Sequence, residues 1–184
     1  MTALASASQL RSTTIRWALF LAPALLLLGF LSGRLADSGP GNPWFTALVK
    51  PAIYPPPATF GIVWSILYVL MGLAFAIVIA ARGANDRGIA IGVFCAQFVL
   101  NLAWSPLFFG MHRISAALGL LVLLDVVVLA TVALFWRVRP AAGALLLPYL
   151  AWVCFATMLN WQFLAANPQA DGQQVSGAVS RVEF

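Results

Sequence analysis

Three apolar segments of the sequence each carry a stripe of aromatic side chains at helical spacing, and two of the stripes include amides. At about 100° per residue, such positions fall on one face of a helix. The stripes are Gln97, Asn101, Trp104 and Phe108; Tyr149, Trp152, Ala156, Asn160 and Phe163; and Phe60, Trp64, Tyr68, Met71 and Phe75. Aromatic faces stack on flat rings, and amides supply hydrogen-bond donors and acceptors. This combination is typical of a small-molecule cavity. The alternative is bundle packing with hydrogen bonds between helices.

The sequence lacks the residues that several common kinds of catalytic site need. His112 is the single histidine, so a His-ligated haem, a zinc site and a Ser-His-Asp triad are each incomplete. Asp125 is the one acid in the interior of an apolar segment, so a pair of buried carboxylates is also missing. Asp125 is either a protonated or hydrogen-bonded carboxyl facing the bundle, or a proton or ligand contact. We expect no cofactor and no metal, and any chemistry must come from aromatic side chains or from the ligand.

The composition requires a membrane to position these stripes. Of the 184 residues, 62% are hydrophobic and 8% are charged, whereas soluble domains are about a quarter charged. A transmembrane helix takes about 20 apolar residues. The sequence therefore predicts an all-α, multi-pass integral membrane bundle with spans at 17–35, 60–81, 88–111, 114–136 and 140–166. Because Arg11 and Arg16 precede the first span, a cleaved signal peptide is the alternative for that segment.

The remaining segments complete the domain organisation. We predict an N-terminal extension at 1–15, a five-helix domain at 16–167 and a disordered polar tail at 168–184. Many prolines in the lid loop, 36–59, argue against a regular helix there. Short connections predict that spans two to five are sequential antiparallel neighbours. Pro106 and Pro148 should bend helices or mark their ends.

The charges are few and scattered. The net charge is +5, but no run of four basic residues exists, so a nucleic-acid partner is not supported and the cations fit loop anchors in a lipid bilayer. The predicted N-terminal side holds Arg11, Arg16, Arg82, Arg87, Arg137 and Arg139, against Arg34, Lys50, Arg113 and Arg181 on the other. The positive-inside rule then places the N-terminus in the cytoplasm.

Cys95 and Cys154 have no metal-binding spacing and are predicted to be buried thiols.

Small residues form a ridge on the third span, opposite its aromatic stripe. Gly88, Gly92 and Ala96 recur every four residues. Such a ridge lets another helix approach closely in lipid. It predicts either a homodimer through this helix or packing inside the monomer.

Several longer motifs occur in a fixed order along the chain. They lie in the segments Trp44–Pro51, Val63–Gly72, Gln97–Gly110, Pro148–Trp152 and Phe155–Asn160. In these motifs the chain resembles the translocator protein family (TspO/MBR), also called tryptophan-rich sensory proteins or peripheral-type benzodiazepine receptors. The resemblance covers roughly Phe20 to Asn167.

The resemblance implies a five-helix bundle that binds porphyrins, and in some members sterols and synthetic aromatic ligands, under the first loop. It also implies homodimers in bacterial members. Trp64 and Trp152 match tryptophans tied to porphyrin binding and to light-dependent porphyrin breakdown, which would make them catalytic if breakdown occurs. With the stripes, the candidate ligand-binding residues are Trp44, Lys50, Pro51, Pro55, Trp64, Tyr68, Asn101, Trp104, Phe108, Tyr149, Trp152, Ala156 and Asn160.

Two departures from the family pattern bear on the ligand. Ile53 stands where the family usually has a tryptophan, although Tyr54 is next to it. This leaves one aromatic wall of the pocket in question. The sterol motif expected after Asn160 needs a tyrosine and then a basic residue, and 161–165 has neither.

Together these features favour a membrane receptor or sensor that binds protoporphyrin-type tetrapyrroles and influences porphyrin metabolism or stress signalling. Lys50 or Arg34 at the cavity mouth would pair with the propionates. The alternatives are a light-dependent porphyrin-degrading enzyme and a transporter of tetrapyrrole or sterol-like ligands. A transporter usually shows internal repeats, and we find none in the sequence.

Overall fold

Five long helices, each apolar enough to cross a bilayer, make up the bundle. The structure is a computed structural model that describes residues 7–173, with side chains from residue 11 onward. The long helices are α1 (Ala7–Leu35), α3 (Pro57–Ala80), α4 (Arg87–Ser105), α5 (Ile114–Val138) and α6 (Pro140–Ala166), and α2 (Pro43–Ala47) is a short helix in the lid loop. The predicted all-α, multi-pass membrane fold is confirmed.

Several prolines begin helices in this protein. Pro43, Pro57 and Pro140 each occupy the first turn of a helix, where the missing N–H has no intrahelical partner to lose. Asn42 caps α2 by accepting a hydrogen bond from the Phe45 N–H at 3.0 Å. The expectation that lid-loop prolines exclude a regular helix is therefore wrong over 43–47.

Pro106 and Pro148, the prolines expected to bend helices or mark their ends, behave differently from each other. Pro106 ends the α-helical part of α4, which continues as a π-helical turn over Pro106–Gly110. This turn places the neighbouring rings of Phe108 and Phe109 toward the interior, where both are buried. Pro148 lies inside α6 without ending it.

The bundle is arranged in the order α1, α3, α6, α5, α4, with α4 returning to α1. The predicted pairing of sequential neighbours is confirmed for α4 with α5 and for α5 with α6. It is wrong for α3 and α4, which make few contacts because α3 packs mainly against α1 and α6. A short loop fixes the direction of two helices but leaves open which faces meet.

Helix α1 is an integral part of the bundle. It begins at Ala7, ten residues before the predicted start of the span, so it includes much of the predicted N-terminal extension. It packs along α3, and its Ser32 hydroxyl donates to the Leu102 carbonyl oxygen of α4 at 2.6 Å. These contacts fit a retained helix.

The outer surface of α4 carries the ridge of small residues. Gly88, Gly92 and Ala96 are all exposed, and a Cβ added to either glycine would meet no atom within 4 Å. The ridge does not pack inside the monomer, and its use as a dimer face stays a prediction.

Cys95 and Cys154 are exposed as well, so their predicted burial is wrong. In a membrane bundle an apolar run continues across the lipid-facing side, so apolar neighbours do not indicate burial.

Candidate functional site

A cavity of about 410 Å³ lies under the lid loop, between the loop-side ends of the long helices. Small-molecule sites occupy about 300–1,000 Å³, so its size suits a single organic ligand. Its walls include residues of α1, α3, α4, α5 and α6 together with parts of the lid loop. Leu121 and Leu124 of α5 form an aliphatic part of the wall, and aromatic side chains are the most frequent type among the other lining residues.

Tryptophans from three helices line this cavity. Trp64 on α3 stacks on Tyr68, with ring centroids 5.2 Å apart and an interplanar angle of 26°. Trp104 on α4 stacks on Phe108 at 5.1 Å and 23°. Trp152 on α6 is half-buried and also faces the cavity. Stacked pairs hold these rings at fixed angles, so the aromatic walls are preorganised.

Two asparagines hold the aromatic walls in place. The Tyr68 hydroxyl donates to Asn101 Oδ1 at 3.0 Å, and Trp104 Nε1 donates to Asn160 Oδ1 at 3.2 Å. Asn160 Nδ2 in turn donates to the Ile114 carbonyl oxygen of α5 at 3.0 Å. Asn101 and Asn160 line the cavity while making these bonds. The two interpretations of the amide stripes, bundle packing and cavity lining, therefore describe the same residues.

Most of the predicted ligand-binding residues meet at the cavity. Those that line it are Trp64, Tyr68, Asn101, Trp104, Phe108, Trp152, Ala156 and Asn160. Those outside its walls are Trp44, Lys50, Pro51, Pro55 and Tyr149.

Tyr149 is buried behind the aromatic wall. Its hydroxyl donates to Gln97 Oε1 at 2.8 Å, and both side chains are almost completely inaccessible. The Tyr149 ring meets Trp64 edge-on, with centroids 6.3 Å apart. This pair supports the wall and joins α4 to α6.

Lys50 and Trp44 are engaged within the loop structure. The Lys50 ammonium donates to the Phe45 carbonyl oxygen and, at 2.9 Å, to that of Leu48, and it lies 4.4 Å from the centre of the Phe45 ring. It thereby satisfies carbonyls at the C-terminal end of α2. Trp44 packs between Phe108 and His112, with centroids 5.5 Å and 4.5 Å away. Both residues shape the lid from outside the cavity.

Tyr54 provides an aromatic wall next to Ile53. It lines the cavity 5.5 Å from the Phe60 ring and 5.8 Å from the Phe163 ring, whereas Ile53 is exposed and outside the cavity. The sequence shows Tyr54 beside the substituted position, but only the turn of the loop decides which of the two side chains points inward. Phe60 and Phe163, which belong to the predicted stripes, also line the cavity, and the aromatic lining residues that the sequence analysis missed are Phe30, Phe45 and Phe109.

The lid loop is tied to the segment that follows α6. Asn167 bonds both backbone groups of Val49: its Oδ1 accepts from the N–H at 2.7 Å, and its Nδ2 donates to the carbonyl oxygen at 2.9 Å. Further on, the Gly172 N–H donates to the His112 carbonyl oxygen at 2.8 Å. The predicted disorder of the tail is therefore wrong up to Gln173, and 174–184 lie outside the described residues.

Asp171 closes this segment onto the start of α5 by accepting a hydrogen bond from the Ser115 N–H at 3.1 Å. Partial burial raises the pKa of its carboxyl. Hydrogen bonds from Ser115 and Ile114 and the charge of Arg113 outweigh that effect, so the pKa is lowered below 3.8. When folding lowers the pKa of a carboxyl, the ionised carboxylate stabilises the folded protein at every pH above the pKa of the unfolded chain. This stabilisation is lost as the pH falls through the lower pKa of the folded protein.

We expect Asp171→Ala to lower thermal stability slightly at pH 6.5, by about 0.5–1 kcal/mol for an exposed cap, with a difference that shrinks as the pH falls below about 4. Asp171→Asn keeps the acceptor and should remove the pH dependence. Melting curves of the three proteins in detergent across pH 3–7 measure this. A difference between wild type and Asp171→Ala that is equal at every pH would contradict the assignment.

Asp125 faces α6 and is not on the cavity wall. Thr157 Oγ1 donates to Asp125 Oδ2 at 2.7 Å, while Asp125 Oδ1 is buried without a protein partner. This arrangement fits the interpretation as a hydrogen-bonded carboxyl in the bundle. The sequence could not indicate Thr157, because the two residues are on different helices.

The comparison with known proteins identifies the family of this chain. A model described as the TspO/MBR family matches residues 20–165. The chain belongs to the TspO/MBR family. It is 40% identical over 144 residues to the tryptophan-rich protein TspO of Chlorobaculum tepidum, an alignment that covers 78% of this chain and 90% of that protein.

Other members of the TspO/MBR family are similar over most of their length. The human translocator protein is 37% identical over 143 residues, covering 77% of this chain and 83% of the relative. The tryptophan-rich sensory protein of Cereibacter sphaeroides is 35% identical over 156 residues, covering 82% and 92%. The family match at 20–165 covers most of the bundle that builds the cavity, and the protein is a multi-pass membrane protein of this family.

Proposed function

We propose that this protein is a membrane receptor or sensor for tetrapyrroles and that it holds a protoporphyrin-type ring in the cavity under the lid loop. The observation that carries the proposal is the convergence of Trp64, Trp104 and Trp152 on one cavity of about 410 Å³. A porphyrin is large, flat and apolar, and indole rings offer it extensive contact at fixed angles. Relatives named for sensing and for translocation support a ligand-binding role.

The polar lining suits a metal-free porphyrin. Among the described residues the walls contain amides and hydroxyls, such as Asn101, Asn160 and Ser105, with no imidazole or thiolate facing the cavity. A haem iron usually takes an axial ligand from such a group. We therefore expect protoporphyrin to bind at least as well as haem.

Quenching of tryptophan fluorescence by protoporphyrin in detergent tests the proposal. Wild type should show saturable quenching, and Trp64→Phe and Trp152→Phe should each raise the apparent Kd about five- to tenfold, since an aromatic pair contributes about 0.5–1.5 kcal/mol beyond its contact area. Trp161→Phe is the matched control on α6, because Trp161 is exposed and outside the cavity. Quenching that does not saturate, or that responds equally to all three changes, would refute an aromatic site here.

A second candidate function is light-dependent oxidation of the bound porphyrin, with dioxygen as the oxidant. It is favoured by the placement of Trp64 and Trp152 on the same cavity. The loss of porphyrin absorbance under illumination, in aerobic and anaerobic samples, measures turnover. Replacing both tryptophans by phenylalanine should abolish turnover while leaving part of the binding, and unchanged degradation would exclude this role for them.

A further inference from the structure

The cavity has one charged side chain on its walls within the described part of the chain. Arg34 lies in the last turn of α1 and is exposed where the cavity opens under the lid loop. All the other lining residues are apolar, aromatic, hydroxyl or amide in type. The charge of the cavity is therefore positive and is concentrated at its mouth.

Lys50 is the other cation that the sequence suggested for binding the propionates, but its ammonium already has hydrogen-bond partners. The ammonium of Lys50 donates to carbonyl oxygens of Phe45 and Leu48 and rests against the Phe45 ring. It lies outside the cavity walls. Moving it to a ligand would leave the carbonyls at the end of α2 without this donor.

The guanidinium of Arg34 has no hydrogen bond or ion pair with any described side chain. Asp37, three residues further on, is exposed but does not form an ion pair with it, and the ion pair within the described residues joins Arg137 to Asp86 elsewhere. A guanidinium presents a planar set of donors that matches a carboxylate with two parallel hydrogen bonds. Arg34 is thus a free donor set on a residue that lines the candidate ligand site.

We propose that Arg34 makes this site selective for flat aromatic ligands that carry a carboxylate, by binding that carboxylate at the mouth while the ring lies among the tryptophans. The inference rests on the proposed function and names its ligand class as an amphiphilic anion. The arrangement also sets an orientation, since the apolar ring enters toward Trp152 and the acid stays near the membrane surface. A neutral ring of the same shape keeps the stacking and loses the charge-assisted bonds.

The experiment compares protoporphyrin with its dimethyl ester, which has the same ring and no charge. Fluorescence quenching is titrated at low ionic strength on wild type, Arg34→Gln, Arg34→Lys and Arg82→Gln. Arg82 is a matched control because it is exposed beyond α3, at the opposite end of the bundle. Because micelles take up the acid and the ester differently, each ligand is compared across variants.

In Arg34→Gln we expect the apparent Kd of the acid to rise about tenfold, as for a partly exposed charge-assisted pair, while the Kd of the ester is unchanged. Arg34→Lys should restore part of the affinity, Arg82→Gln should match wild type, and added salt should weaken only the acid. An equal loss for acid and ester, or no loss for the acid, would overturn the role of Arg34 and leave the tetrapyrrole site standing. If wild type binds neither ligand, the proposed function fails as well.

Discussion

Replacing Ala156 by phenylalanine should abolish saturable binding of protoporphyrin, raising its apparent Kd by more than about tenfold. Ala156 is half-buried on α6 and lines the cavity one turn from Trp152. A benzyl group at this position occupies space between the aromatic walls, and the surrounding stacked rings have little freedom to move aside. Fluorescence quenching by protoporphyrin on purified protein measures the effect.

The control for this change is Ala151→Phe on the same helix, because Ala151 is exposed and outside the cavity. It adds the same group to the lipid-facing side and should leave the Kd as in wild type. Circular dichroism and gel filtration of both variants establish that the bundle is intact. Unchanged binding in a folded Ala156→Phe protein would mean that the porphyrin binds somewhere else.

Replacing Gly72 by alanine should destabilise the bundle much more than the same change at an exposed glycine of another helix. Gly72 lies on α3 where α1 crosses it, and an added Cβ would stand 2.5 Å from the Ala22 Cα and 2.7 Å from the Ala22 nitrogen. Both are backbone atoms, so relief requires α1 and α3 to separate. We expect a loss of about 1–3 kcal/mol from overpacking, seen as a lower Tm in detergent.

The same substitution at Gly119 on α5 is the matched control. Gly119 is exposed, and an added Cβ there would meet nothing within 4 Å. Alanine is the better helix former by up to about 1 kcal/mol, so Gly119→Ala should leave the Tm unchanged or raise it. If Gly72→Ala is as stable as Gly119→Ala, the close approach of α1 and α3 is wrong.

The lining residues on helices were largely predictable because a helix has a fixed period. Once Trp104 faces the interior, that period places Asn101 and Phe108 on the same side, and the same argument holds for Trp152, Ala156 and Asn160. The loop residues were not predictable in this way. Lys50 and Tyr54 lie in a segment without a period, where each turn of the backbone decides what points inward.

The distribution of outward-facing residues also needed the structure. Cys95 and Cys154 stand in apolar runs like those of the buried side chains, yet both are exposed. Lipid accepts the same residue types as a protein interior, so hydrophobicity separates the spans from the loops but does not separate the two faces of one span. Amide side chains mark the inner face more clearly, because they need hydrogen-bond partners away from lipid.

By itself the sequence determined that five helices span a membrane and that their aromatic stripes carry the candidate site, because length, hydropathy and helical period are local properties. The tertiary structure alone decided that α3 packs on α1 and α6. It also decided that the Lys50 ammonium binds a carbonyl oxygen of α2 while Arg34 lines the cavity. In addition, it decided that Asn167 forms hydrogen bonds with Val49. The helix contacts and the Asn167–Val49 pair join residues far apart in sequence. They depend on how whole helices and loops are placed relative to one another, which no local pattern encodes.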